Sequence, residues 1–195
     1  MKLLTANNAK VAKGVKFGYY NLILHLAPST LSGKNVCPKA SKGCASACLN
    51  TAGMGIFSNV QNARKEKTLR YFNDKVNFEN DLNSDILSAI KIAEQNPTVQ
   101  FYDYTKIAKT FEKKLPKNYH LTFSRSETNE KDAIALLKQK HNVAMVFKEL
   151  PKTYKGFKVI NGDENDLRFL DKKGVIVGLT AKGKAKKDTS GFVIV

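Results

Sequence analysis

Short apolar runs alternate with longer amphipathic stretches along most of this chain. Tyr19–His25 (YYNLILH) is apolar and aromatic between Gly18 and Pro28, and Val99–Tyr104 (VQFYDY) follows an Asn96-Pro97 turn signal. Tyr119–Phe123, Val143–Phe147, Phe157–Ile160 and Val175–Leu179 complete a set of strand candidates rich in β-branched and aromatic residues. Between them the spacing predicts helices over about Asn59–Asn73, Asn80–Glu94, Ile107–Lys113 and Glu130–Lys140. The second carries Leu82, Ile86, Leu87, Ile90 and Ala93 at helical intervals, and Thr128 or Asn129 is the expected cap of the last. Strands separated by helices of this length imply βαβ units. The expected class is α/β, with a mainly parallel sheet or partial β/α barrel of about six strands. Gly191–Val195 (GFVIV) adds one more strand candidate.

Polar groups recur where these strands should end. Asp103-Tyr104-Thr105-Lys106, Ser124-Arg125-Ser126-Glu127, Asn161-Gly162-Asp163 and Ala181-Lys182-Gly183-Lys184 each follow an apolar run. In parallel sheets the strand-to-helix loops converge on the C-terminal edge, where ligands bind. Asp103, Tyr104, Lys106, Ser124, Arg125, Glu127 and Lys182 are therefore the expected wall of a shared cofactor or ligand site. Arg125 and the lysines suit phosphate or carboxylate, and Asp103 or Glu127 suits proton transfer. Arg125 and Glu127 also suit each other, in which case the wall is structural.

The 195 residues, 42% hydrophobic and 26% charged, suffice for one α/β domain over 1–195 with a full core, so neither disulfide nor metal is needed merely to fold. No apolar run approaches the roughly 18 residues of a membrane helix. The opening MKLLTANNAKVAKG meets Asn, Lys and Gly too early for a secretory core segment, so no membrane association and a cytoplasmic location are expected. There thiols stay reduced, and clustered cysteines point to metal or redox chemistry.

All three cysteines fall in Cys37-Pro-Lys-Ala-Ser-Lys-Gly-Cys44-Ala-Ser-Ala-Cys48, a metal-binding loop expected at about 28–55. If the last turn is helical, Cys44 and Cys48 share one face, and Gly43 supplies a positive φ beside the metal. The small residues around them leave room for an object several ångströms across and for backbone N–H groups to approach its sulfides. Structural zinc normally takes four ligands in paired Cys-x2–4-Cys spacing. Here the spacing is x6 then x3 with no fourth cysteine, so a [4Fe–4S] cluster with an open iron is the expected occupant and zinc the alternative. His25 and His120 are the candidate fourth ligands.

The stretches LLTANNAKVAKG, LHLAPSTLSGKNVCPKASKGCASACLNTAGMG, NYHLTFSRSETN, INGDENDLRFLD and VIVGLTAKGKAKKDTSGFV resemble a family of bacteriophage and plasmid gene products of mycobacteriophage type. The resemblance implies a mobile-element origin, hence the host cytoplasm, and a family-wide Cys-x6-Cys-x3-Cys motif, with no activity attached. A second likeness is architectural. Radical S-adenosylmethionine enzymes also carry a three-cysteine cluster loop after the first strand of a β/α barrel. Their usual motif is Cys-x3-Cys-x2-Cys with an aromatic before the last cysteine; here Ala47 takes that place and no Gly-Gly-Glu follows, so S-adenosylmethionine is the weaker implication.

A net charge of +16 and a pI near 9.7 favour polyanionic partners. The basic residues include Arg64, Lys65, Lys67, Arg70, Lys113, Lys114 and the Lys182–Lys187 stretch. Two functions follow: a cluster-containing redox protein or enzyme acting on a small or nucleotide-like anion, or a nucleic-acid-binding or host-modulating protein with a structural metal.

Overall fold

The apolar runs from Phe101 onward align as one sheet in a computed structural model that describes residues 2–5, 9–19, 21–93, 100–113, 115 and 118–195. Tyr20, Glu94, Asn96, Pro97, Val99 and Lys114, named above, lie outside the described residues. By internal contacts the chain divides into two units: Met1–Pro38 with Met54–Val99, and Lys39–Gly53 with Gln100–Val195.

The second unit holds the sheet. Its strands are β3 (Phe101–Thr105), β4 (Tyr119–Ser124), β5 (Val143–Phe147), β6 (Thr153–Tyr154), β7 (Phe157–Asn161), β8 (Ile176–Thr180) and β9 (Val193–Ile194). Their order is β3-β4-β5-β8-β7-β6, and every pairing is parallel except the β6–β7 hairpin. The expected mainly parallel α/β sheet is thus present. The hairpin turns on Lys155 (φ 48°) and Gly156 (φ 82°), two successive left-handed residues, which matches strand twist.

One edge of β5 is paired with β8 along all of Val143–Phe147. The other edge is divided: β4 covers its start (Ser124 opposite Ala144) and β9 its end (Val146 opposite Val193). β9 therefore continues the line that β4 leaves.

Residues alternate between the two faces of each strand. Phe123, Val143, Met145, Phe147, Val159 and Ile176 form the core with Ala133, Leu136 and Leu137 of α5 (Glu130–Lys138). Glu130 and Asp132 in its first turn and Lys138 in its last complement the helix dipole. Asn129 holds the cap position, but its side chain serves the preceding loop instead: its Oδ1 accepts from Ser126 N–H and its amide donates to Ser124 O. The opposite face carries Tyr102, Tyr104, His120, Thr122 and Ser124, with Tyr102 opposite His120 and Tyr104 opposite Thr122. The helix expected at Ile107–Lys113 is a 3-10 turn, Ala108–Glu112.

The first unit contains β1 (Leu4–Thr5), α1 (Ala9–Val15), β2 (Ile23–Leu24), α3 (Ser58–Asn73) and α4 (Lys75–Ala93). The expected strand Tyr19–His25 is corrected here: among its described residues only Ile23–Leu24 forms a strand, and it pairs antiparallel with β1 outside the main sheet. Polar and ionisable residues in and flanking YYNLILH leave it short of the continuous apolar run a buried parallel strand requires. The Asp85 carboxylate accepts from Leu3 and Leu4 N–H (2.6 and 2.9 Å), and Lys67 donates to Leu3 O (2.7 Å), strapping β1 to both helices.

Candidate functional site

The cysteine segment opens with a cap. Ser41 precedes the short α2 (Lys42–Ser46); its Oγ accepts from Cys44 N–H (3.2 Å) while its hydroxyl donates to Glu127 Oε2 (2.8 Å). Glu127 Oε1 accepts from Gly43 N–H (2.8 Å). One carboxylate just past the end of β4 thus grips two points of the cysteine helix. Gly43 is helical, not left-handed, which corrects the expected role. Glycine is required there because a Cβ would collide with Ser190 Oγ and the Glu127 carboxylate.

The helix ends at Ala47, and Cys48 adopts an extended conformation (φ −54°, ψ 134°) before a 3-10 turn over Leu49–Thr51. Cys44 and Cys48 therefore do not share one helical face as the spacing predicted. Cys44 packs against a buried cluster of Ala47, Ala181, Ala185, Phe192 and Val193, as does Val146 of β5. Farther along, Thr51 Oγ1 accepts from Lys184 N–H (3.3 Å). These partners follow β4 and β8 or precede β9, so Cys44 and the residues after it lie at the C-terminal strand edge. Cys37 belongs to the first unit, where its N–H donates to Asn35 Oδ1 (2.8 Å). No disulfide joins any of the three, and among the described residues no three His, Cys, Asp or Glu side chains gather as a group that could hold a metal ion.

The other expected site residues are engaged by the protein itself. Arg125, 6% exposed, donates through Nη1 to Gly191 O (2.6 Å) and Phe192 O (2.9 Å) and through Nη2 to Glu130 (3.2 Å). It is the strut that holds the entry to β9. Burial pushes the Glu130 carboxyl up, but the Tyr154 hydroxyl, Lys155 and Arg125 outweigh it and hold the group below its ordinary value. Lys106 donates to Ser124 Oγ (3.0 Å), so these two meet as expected. Asp103 is on the other face of β3 from Tyr104, and accepts from the Tyr119 hydroxyl (3.3 Å). Lys182 pairs with Asp163, whose second oxygen accepts from Thr180 N–H. His120, at the start of β4, is four residues from Ser124, or roughly 13 Å along the strand, on the far side from the cysteine helix.

Two features had not been singled out. A cavity of about 370 Å³ lies against the cysteine segment, lined by Ser46, Ala47, Lys184, Lys187, Asp188, Thr189 and Ser190. The second feature is Arg168, 1% exposed and inside the stretch INGDENDLRFLD. Its Nη2 donates to Asn165 O (2.7 Å), and its Nε faces Asp171 at 3.2 Å. A Cβ on Gly162 would come within 2.9 Å of its Nη1, so glycine there makes room for the guanidinium. Burial raises the Asp171 carboxyl, although Arg168 partly offsets it. Arg168 and Asp171 three apart, beside the apolar Leu167, Phe169 and Leu170, were the available sequence signal.

A mostly parallel α/β sheet with a cysteine helix clamped at its C-terminal edge defines the class: an α/β protein with its distinctive motif at the C-terminal edge of the sheet. The chain belongs to the Gene product 88 family, whose model matches residues 1–91 and 84–195. No curated protein and no solved structure matches it.

Proposed function

We propose that this protein is a phage-type iron–sulfur protein of the host cytoplasm, with Cys37, Cys44 and Cys48 holding a [4Fe–4S] cluster whose fourth iron position receives an anionic ligand. The observation that carries this reading is the attachment of the cysteine helix to Glu127: a carboxylate is spent on orienting a five-residue helix whose one distinctive side chain is Cys44. Ala45, Ser46 and Ala47 are small, and the thiols are not consumed in disulfides. A bound cluster would supply electron transfer or a Lewis-acidic iron, while the chain orients the thiolates. No helix among the described residues is long and apolar enough to cross a membrane.

The basic turn Gly183–Lys187 beside the same segment favours a second reading, a nucleic-acid-binding protein with a structural cluster or zinc. Salt-dependent affinity for DNA or RNA marks that case. The deciding experiment is anaerobic purification with absorption and electron paramagnetic resonance spectra and counts of iron and sulfide. Brown protein that loses iron on replacement of any one cysteine by Ala supports the cluster. Colourless protein with one equivalent of zinc refutes it.

A further inference from the structure

The anionic ligand in that reading needs a receptor, and the residues first expected to serve are spent: Arg125 on two carbonyls and Glu130, Lys182 on Asp163. A different cation has donors left over. Arg168 is buried, fixed on one side by Asn165 and Asp171, and its Nη1 has no hydrogen-bond partner among the described residues. A buried guanidinium normally uses all its donors, because each unmet one forfeits its hydration without return. Two further orphans lie on β4: the Thr122 hydroxyl, fully buried, and His120 Nε2.

These groups face the same way. Thr122 and His120 alternate with core-facing residues, which puts them on the face of Ser124. Ser124 aligns with Ala144 and Ala144 with Val177 across the sheet. A Cβ at Gly162 would touch both Val177 and Arg168 Nη1, so the guanidinium lies over that same face. Phe169, the next residue, stacks on Tyr102 at 5.8 Å between centroids, carrying the loop across to β3. Burial, then the charges of Arg168 and Lys173, lower the His120 pKa, so its imidazole is neutral at pH 7 and adds no charge to that of Arg168.

We propose that Arg168 is the anchor for a carboxylate or phosphate group of a ligand held against this face of β3 and β4, with Thr122 as second donor. With Nε against Asp171 and Nη2 spent on both Asn165 oxygens, Nη1 keeps its donors for an oxygen of an anion, and the charge is one that burial cannot remove. The proposal rests on the anionic-ligand part of the reading above and not on the metal.

The chain has four arginines, Arg64, Arg70, Arg125 and Arg168, so arginine-15N labelling resolves every guanidinium. Full-length protein, iron-loaded and iron-free, is titrated separately with inorganic phosphate, with acetate and with chloride at matched ionic strength. The signal assigned to Arg168 by its loss in Arg168→Lys should shift saturably with phosphate or acetate, and which anion acts identifies the group. Thr122→Val keeps the arginine and deletes a buried unpaired hydroxyl. It should raise the denaturation midpoint of the ligand-free protein yet weaken anion binding about tenfold or more. An Arg168 signal that responds to neither anion, or moves no more than with chloride, overturns the proposal. So does Thr122→Val with unchanged affinity. Binding that persists in iron-free protein and in Cys44→Ala separates this result from the fate of the cluster.

Discussion

Replacing Glu127 tests whether the cysteine helix is clamped as described. Its carboxylate accepts two hydrogen bonds, from the Ser41 hydroxyl and Gly43 N–H, both at 2.8 Å. Hydrogen bonds to a charged partner contribute about 1.5 kcal/mol each at the lower end of their range, a fair choice for a half-exposed site, so Glu127→Ala should cost about 3 kcal/mol. That loss falls on local opening of the segment before it falls on the whole sheet, and multiplies the open population on the order of 10²-fold. Maleimide labelling of Cys44 reports the opening, with Cys37 in the other unit as internal reference. Glu127→Gln retains an acceptor for Gly43 and should lose less than half as much. Labelling of Cys44 at the wild-type rate in Glu127→Ala, with an unchanged unfolding midpoint, would refute the clamp.

Arg125→Met strands the Gly191 and Phe192 carbonyls, while Glu130 keeps Tyr154 and Lys155, and should destabilise by about 2–5 kcal/mol; in hydrogen exchange the amides of Val193 and Ile194 should lose protection first. Leu137→Ala, at a core position 2% exposed, should cost about 2–5 kcal/mol by urea unfolding, with β-strand content retained. His25, His120 and His141 are all held below 6.5 by burial, so the unfolded chain takes up protons first and stability declines as pH falls below about 6.5. Glu130, held below its ordinary 4.5, extends the decline below that pH, while Asp171, raised by burial, works weakly against it. A urea midpoint that stays flat from pH 7.5 to pH 5 would contradict the histidine assignment.

The sheet was legible because Val143–Phe147 and Val175–Leu179 are continuous apolar runs, which only a strand buried on both faces demands. The same reasoning overreached at Tyr19–His25, where aromatic content imitated a strand. No strand of the main sheet leads into the cysteine segment; Glu127 and the residues flanking β9 bring Cys44 to the C-terminal edge from the other end of the sequence. Arg125 drew attention by following a strand, yet its partners are backbone carbonyls of Gly191 and Phe192, and no side-chain pattern announces a carbonyl. Arg168 escaped notice for the converse reason: an arginine in a connection too short for a helix looks like a solvated turn until the fold buries it, although the apolar Leu167, Phe169 and Leu170 beside it argue for burial.

The shared edge of β5 also orders events in time. Cys44 docks on Phe192 and Val193, which are synthesised long after it. At roughly 5–20 residues per second, the thiols emerge on the order of ten seconds before the residues that enclose Cys44. In that interval the nascent thiols lack their enclosing residues and depend on the reducing power of their surroundings for protection.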